Sequence, residues 1–371
     1  DIEGKPREEH DIIIQSLIDE MASDVLLNST FSHVSLVKSL AMSLIQHGNT
    51  LPSVTYDSVS KDIISVEGVP VSLAIFQKVV TTLAEDCHKE MVDILQDYYP
   101  YQHLPSNLCQ KIMDSTNETR PDFSFLSSPD NSHLSALCQA AGDRFMKWAD
   151  LKPPTDSNSE SGPGSDPTTD PGSDPEADYA QKLHFMQRWL SRTGSLCIKL
   201  MTLCQFTGGL PARGTELEGL TCKNINSAQR SLLWHCNTIA LVFYYNKSSA
   251  SKAMPKVTLR YLPRFVSEML VVFLTCIRSC EKLVAWCLHD LAPALFPKKC
   301  IQAYYDLLFV KAGKPINTSQ ISSSIEGSFT KIQANARLNT QKYRQFASAL
   351  AESKTSFGRV FQGFTRANQE W

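Results

Sequence analysis

The sequence lacks most of the patterns that announce a common chemistry. None of its 11 cysteines stands in a C-x-x-C pair, and an odd number cannot pair off into a disulfide framework. Cys276, Cys280 and Cys287 follow at steps of four and seven, the spacing of one helical face, and read as small core residues; a zinc site is the lesser alternative. Reduced thiols suit a nuclear or cytosolic protein, and a nuclear location is expected. The most apolar run, 266–277, is too short to cross a bilayer and contains Ser267 and Glu268, so no membrane partner is expected. There is no secretory signal, so the four N-x-S/T sequons at Asn28, Asn117, Asn246 and Asn317 carry little weight. No set of Asp, Glu and His gathers in the C-terminal half, which argues against a metal-dependent nuclease. No metal and no cofactor is expected. The chain opens on Asp1 rather than Met and reads as a piece of something longer.

What is present begins with size. A chain of 371 residues, 42% hydrophobic and 20% charged, has room for two domains and a substantial core. Its net charge of −2 hides an asymmetry: residues 1–177 hold 11 Lys+Arg against 28 Asp+Glu, and residues 178–371 hold 25 against 10. A C-terminal half that basic attracts a polyanion, for which duplex DNA is the default candidate. The two halves could equally attract each other, and both readings can hold together.

Helical spacing of apolar residues predicts helices over 1–25, 33–47 and from Leu73 to about Tyr99, where Pro100 ends the run. Another is expected over 132–148, with Leu134, Leu137, Cys138, Ala141 and Phe145 on one side, so 1–151 reads as an acidic, all-helical domain. The clustered Tyr98, Tyr99 and Tyr101 suit packing better than base stacking. Residues 152–177 are dominated by Pro, Ser, Gly, Thr and Asp, cannot bury enough apolar surface to order themselves, and read as a flexible linker. A basic domain is expected over 178–371. It starts with a long helix over 179–206, then has two strands over 231–245 with a turn near Asn237, and a third strand over 256–262. Helices follow at 264–288 and 299–311; a polar segment at 317–324 leads to a helix over 324–336, and a last helix runs from Gln341 to about Glu352. The fold class is therefore mainly α with a small antiparallel β-sheet.

The stretch Thr207-Gly-Gly-Leu-Pro-Ala-Arg213-Gly-Thr-Glu216-Leu217 is the most informative. Glycines and a proline make a tight turn, and Arg213 stands where a helix begins. A guanidinium beside helix-start N–H groups is a good phosphate clamp, because both donate to one oxyanion. The alternative is an Arg213–Glu216 pair that only ties helix to turn.

Three motifs in order, P-A-R-G-T-E-L around Arg213, Tyr245-Asn-Lys247 on a hairpin and Gln341-Lys-Tyr-Arg344 on a late helix, resemble the catalytic domain of tyrosine recombinases. The wording, with Arg260-Tyr-Leu-Pro263, looks closest to fungal Crypton-like recombinases and to the recombinase-like region ahead of fungal RecQ-type helicases. The resemblance covers roughly 120–350. It implies a helical N-terminal domain and a mixed α/β catalytic-type domain that clamp duplex DNA. It also implies that Arg213 and Arg344 hold the non-bridging phosphate oxygens, that Lys247 is the general acid, and that Glu216 is a structural support. Gln341 stands in place of the family's histidine and can hydrogen-bond a phosphate but not shuttle its proton. Lys252, Lys256, Arg260, Arg264 and Lys342 are further DNA-contact candidates, Lys252 and Lys256 doubling as fallback acids. The family's nucleophilic tyrosine lies well downstream of the second arginine, and no tyrosine follows Tyr343. Strand transfer therefore needs a tyrosine from beyond the chain. Self-association or an attached helicase are the other partners implied. The rival expectation is an inactive interaction scaffold, in which Arg213 and Arg344 point apart or pair with carboxylates.

Overall fold

A computed structural model describes residues 54–56, 62–105, 107–151, 175–225, 228–244 and 257–352. The chain divides into a unit of Asp1–Thr55, of which Val54 and Thr55 are described, and a unit of Tyr56–Trp371, to which everything below refers. The helices expected at 1–25 and 33–47 lie outside the described residues, as does most of 152–177.

The described chain is mainly helical, with small antiparallel sheets. Its first paired elements depart from the all-helical expectation. Strands β1 (Ile63–Val66) and β2 (Val69–Ser72) form an antiparallel hairpin in which Val66 pairs with Val69. Glu67 and Gly68 turn it at φ 49° and 80°, the double positive φ that a two-residue hairpin turn demands. Alternation buries Ile64, Val66 and Val71, and strands of four residues are too short to announce themselves against the long helix that follows.

That helix, α1 (Leu73–Leu95), starts where Ser72 Oγ accepts from the Ile75 N–H at 3.2 Å. Its stripe of Phe76, Val79, Val80, Leu83, Cys87 and Met91 is buried. Tyr98 and Tyr99 are buried too, as packing residues. An irregular stretch follows, pinned by buried Asn131, whose amide donates to Met113 O (2.6 Å) and Phe125 O (2.7 Å) and accepts from Met113 N (2.9 Å). Helix α2 (Ser132–Trp148) then buries Leu134, Leu137, Ala141 and Phe145 as its spacing foretold.

Helix α3 (Pro175–Thr207) packs against α1 on one side. After it come the short α4 (Gly214–Glu218) and a sheet in the order β3 (Leu232–His235), β4 (Thr238–Phe243), β5 (Thr258–Tyr261). The β3–β4 turn sits at Cys236 and Asn237, both at positive φ, as expected near Asn237. Helices α5 (Arg264–Val272) and α6 (Arg278–Leu291) continue one another through a π-helical turn at Phe273–Ile277. Helix α7 (Lys298–Asp306) precedes a two-residue hairpin pair, β6 (Val310–Lys311) and β7 (Lys314–Pro315). The polar segment expected at 317–324 is instead the start of α8 (Thr318–Ile332). Asn317 Oδ1 accepts from Gln320 N and Gln320 Oε1 from Asn317 N, both at 3.0 Å, and Ile321, Ile325 and Phe329 are its buried stripe. Helix α9 (Thr340–Glu352) ends the described chain.

Residues on both sides of 152–177, where a linker between two domains was expected, contribute to the single unit Tyr56–Trp371. Arg230 and Asp114 form a fully buried ion pair at 2.6 Å, and Asp114 also accepts from Trp234 N at 2.9 Å. Lys199 reaches Glu90 and Lys331 reaches Asp86, each at 2.6 Å. At one end of this unit Phe76, Phe206, Phe329, Tyr343 and Phe346 form an aromatic cluster. Phe206 and Tyr343 meet edge-on at 4.8 Å between centroids, and Phe76 and Phe346 at 5.4 Å. The cluster joins the ends of α1, α3, α8 and α9.

Candidate anion site beside the 207–213 turn

The turn after α3 is held by one buried amide. Gln205 Nε2 donates to Ala212 O at 2.7 Å, and Gln205 Oε1 accepts from Ala212 N at 3.0 Å. Gly208 N donates to Cys204 O at 2.9 Å, and Gly209 takes φ 87°, which glycine reaches without strain. The chain is thus folded back so that Arg213 enters α4 from a fixed position. Glu216 locks that entry: its Oε2 accepts from the Arg213 backbone N–H at 2.9 Å, and its Oε1 lies 3.9 Å from Arg213 Nε. The Arg213 side chain is 37% exposed against 12% for Glu216, so the guanidinium keeps an open side. Glu218 Oε1 accepts from Thr318 Oγ1 at 2.7 Å and also from Thr318 N, docking α4 onto α8. Gly214 is needed for that approach, because a Cβ there would overlap the Thr318 side chain. With only five residues, α4 offers little dipole, and the weight of any phosphate clamp falls on guanidinium groups.

Arg260 supplies one. It lies on β5 opposite Leu241, and its guanidinium carbon stands 4.7 Å from the Phe243 ring centroid. Its Nε is buried and has no hydrogen-bond partner among the described residues. Burial lowers the Arg260 pKa from its ordinary value; Glu216 opposes that shift and Arg344 adds to it. The Arg260 charge is therefore close enough to feel Glu216 and Arg344 at once.

Arg344 comes from α9. Its neighbour Tyr343 points into the aromatic cluster and donates from Oη to Gln205 O at 3.3 Å. The residue that braces the turn thus also contacts the helix bearing the second arginine. Among the described residues, neither Arg260 nor Arg344 has a carboxylate within ion-pair distance. Of the three arginines Arg260 lines an open cleft of about 420 Å³ formed by Thr207–Leu210 and Thr258–Tyr261, whose first wall is the turn that leads into Arg213.

The other expected contacts fall elsewhere. Gln341 is exposed on the first turn of α9, on the side of Arg344. Lys342 Nζ pairs with Glu67 at 2.9 Å, on the β1–β2 turn, and Arg264 Nε pairs with Glu268 at 2.8 Å. Both cations already have partners. Lys247, Lys252 and Lys256 lie outside the described residues. Sequence reasoning missed Gln205 and Phe243. A lone amide inside the apolar run Leu203-Cys204-Gln205-Phe206 was the available signal, since a buried amide must be hydrogen-bonded.

No family model, no curated protein and no solved structure matches the chain, so its functional reading rests on this geometry.

Proposed function

We propose that this chain is a DNA-binding module with a tyrosine-recombinase-like fold, which clamps duplex DNA and holds a backbone phosphate between Arg213 and Arg344. The observation that carries the reading is Arg260 on the wall of an open cleft beside the turn that presents Arg213, its charge opposed by that of Arg344 and offset by that of Glu216. Like charges repel, and proteins gather them where an anion is to be received. The charge of +15 that follows from the Lys, Arg, Asp and Glu of residues 178–371 supports the same partner. A nuclear location goes with it.

The part proposed is binding. Tyr343 is unsuited to nucleophilic attack on phosphorus: it is buried, its hydroxyl is bound to Gln205 O, and burial pushes its pKa far up. Strand cleavage and rejoining would need a tyrosine from beyond this chain, with Lys247 as the general acid. One observation favours a second reading, an inactive scaffold attached to a helicase or an oligomer: Arg213 Nε already lies 3.9 Å from Glu216.

Fluorescence anisotropy on a ~30-bp labelled duplex at two salt concentrations separates the two readings. The module should bind with a steep salt dependence, and an Arg213→Ala, Arg344→Ala double variant should lose affinity and about one unit of salt slope per arginine removed. Absence of binding at low salt would sink the DNA reading and leave the scaffold.

A further inference from the structure

Most of the cysteines are kept from chemistry by their placement: nine are buried and Cys138 is half-buried. Burial pushes the thiols of Cys109, Cys197 and Cys276 up to about 12 and that of Cys287 to about 11, so they stay protonated. Cys236 is the exception, exposed on the β3–β4 turn between the exposed His235 and Asn237. The sheet brings two further side chains to it. His235 ends β3 opposite Thr238, and Tyr261 on β5 stands opposite Ala240. Thr238 and Ala240 are two apart on β4, so His235 and Tyr261 share one sheet face, with the small Ala240 between them. Tyr261 Oη lies 3.1 Å from His235 Nδ1, and the two ring centroids are 5.7 Å apart. The other ring nitrogen, His235 Nε2, lies 3.8 Å from Cys236 Sγ. In the tautomer that can act as a base, Nδ1–H donates to Tyr261 Oη and Nε2 turns its lone pair to the thiol. Once Nε2 takes the thiol proton, the imidazolium keeps the phenol oxygen as an acceptor. A nucleophile, its base and a group that orients the base thus follow one another in contact.

We propose that Cys236 is a reversible modification site for small-molecule disulfides, with His235 as the base for its thiol and Tyr261 as a positioning residue. The Cys236 S–H proton passes to His235 Nε2 as Sγ attacks one sulfur of a disulfide RSSR. The Cys236–SR bond forms as the RS–SR bond breaks, and the leaving thiolate takes the proton from His235. One RSH is released and the imidazole is restored, the disulfide being the oxidant. With no second exposed thiol to resolve it, the adduct persists until a free thiol attacks it in the reverse exchange. The site does not depend on the nucleic-acid reading above.

The test incubates the full chain with oxidised glutathione and follows the adduct by intact mass, beside free N-acetylcysteine as a thiol without an imidazole. The native chain should take up one equivalent and release it to added free thiol. At about pH 7 it should react at least ~10-fold faster than the free thiol, less than the ~10²–10⁴-fold of a well-placed base because 3.8 Å is a loose contact. At about pH 10, where a free thiol ionises without help, the two rates should converge to within ~3-fold. His235→Gln should lose the advantage at the lower pH and keep the rate at the higher, a split that a merely structural histidine would not give. Tyr261→Phe should fall between, and Cys236→Ser should take up nothing. An unfolded variant betrays itself by modification at further members of the 11 cysteines. A native rate no faster than the free thiol at about pH 7, an unchanged rate in His235→Gln, or an adduct on folded Cys236→Ser overturns the proposal. A Tyr261→Phe rate equal to wild type overturns the positioning role.

Discussion

Removing the Arg260 charge should make the free protein more stable, not less. The Arg260→Met substitution keeps the length and apolar stem of the side chain. Two terms favour the variant. Arg260 Nε is buried without a partner among the described residues, and leaving such a group unsatisfied costs ~1–3 kcal/mol. Arg344 adds a like-charge repulsion, reduced by solvent because Arg344 is partly exposed. Two terms oppose it. The contact with Phe243 is worth ~0.5–2 kcal/mol depending on desolvation, and the attraction of Glu216 is lost. The downward direction of the Arg260 pKa says that burial and Arg344 together outweigh Glu216. Arginine stays protonated at neutral pH, so the fold carries that penalty. The expected balance is a gain of about 1 kcal/mol in urea unfolding at low salt, with an unchanged m-value. Under the proposed function, sulfate or phosphate should stabilise the wild-type protein more than the variant, which lacks one of the cations proposed to meet an anion. A variant less stable than wild type by 1 kcal/mol or more, with no difference in the phosphate response, would refute the account of Arg260 as an uncompensated charge.

Two further outcomes follow from the same geometry. Gln205→Leu keeps the bulk but strips the Ala212 N–H and C=O of their partners, so stability should fall by ~2–4 kcal/mol and DNA affinity with it; a loss under ~0.5 kcal/mol in urea unfolding would mean that the turn does not depend on this amide. His88, half-buried with its ring centroid 5.1 Å from that of Tyr101, has its pKa lowered from 6.5 by burial. The fold thus favours the neutral ring, and the contribution of His88 is fully present above pH 6.5 and lost as pH falls through the lowered folded value. Urea midpoints measured from about pH 7.5 down to about pH 5 should decline less in His88→Gln, and an unchanged decline would place the acid sensitivity elsewhere.

Long elements were legible because their periodicity is redundant. Helix α2 repeats its apolar face through Leu134, Leu137, Ala141 and Phe145, and no single residue decides it. The hairpin at Ile63–Ser72 was hidden because four-residue strands offer only two inward positions each, and Pro70 interrupts the second. The start of α8 was hidden by its Ser, Thr and Gln, although the Asn317 and Gln320 capping pair stood in the sequence. Within the candidate site, the motif around Arg213 stood in the sequence, whereas the cleft beside it did not. Periodicity assigns faces but not neighbours. That is why Arg264 and Lys342, chosen for charge alone, turn out to be paired with Glu268 and Glu67. It is also why the stacking of Arg260 on Phe243, fixed by a diagonal relation across β4 and β5, could not be read beforehand.

Tyr343 and Arg344 are adjacent on α9, and one helical step of about 100° separates the buried tyrosine from the partly exposed arginine. Phe206 is likewise the last inward residue before the Thr207 turn. The packing of Phe206 on Tyr343 at 4.8 Å, with the Tyr343 hydroxyl on Gln205 O, therefore sets how far Arg344 stands from the turn that presents Arg213. Such packing is stiff, and it can hold like charges near one another against their repulsion. A protein selected only as a scaffold gains nothing from that conflict, and one hydrophobic substitution at Arg260 would remove it. A protein that must receive a phosphate gains the anion's full attraction when it arrives, because the cations are already in place and need no reorganisation.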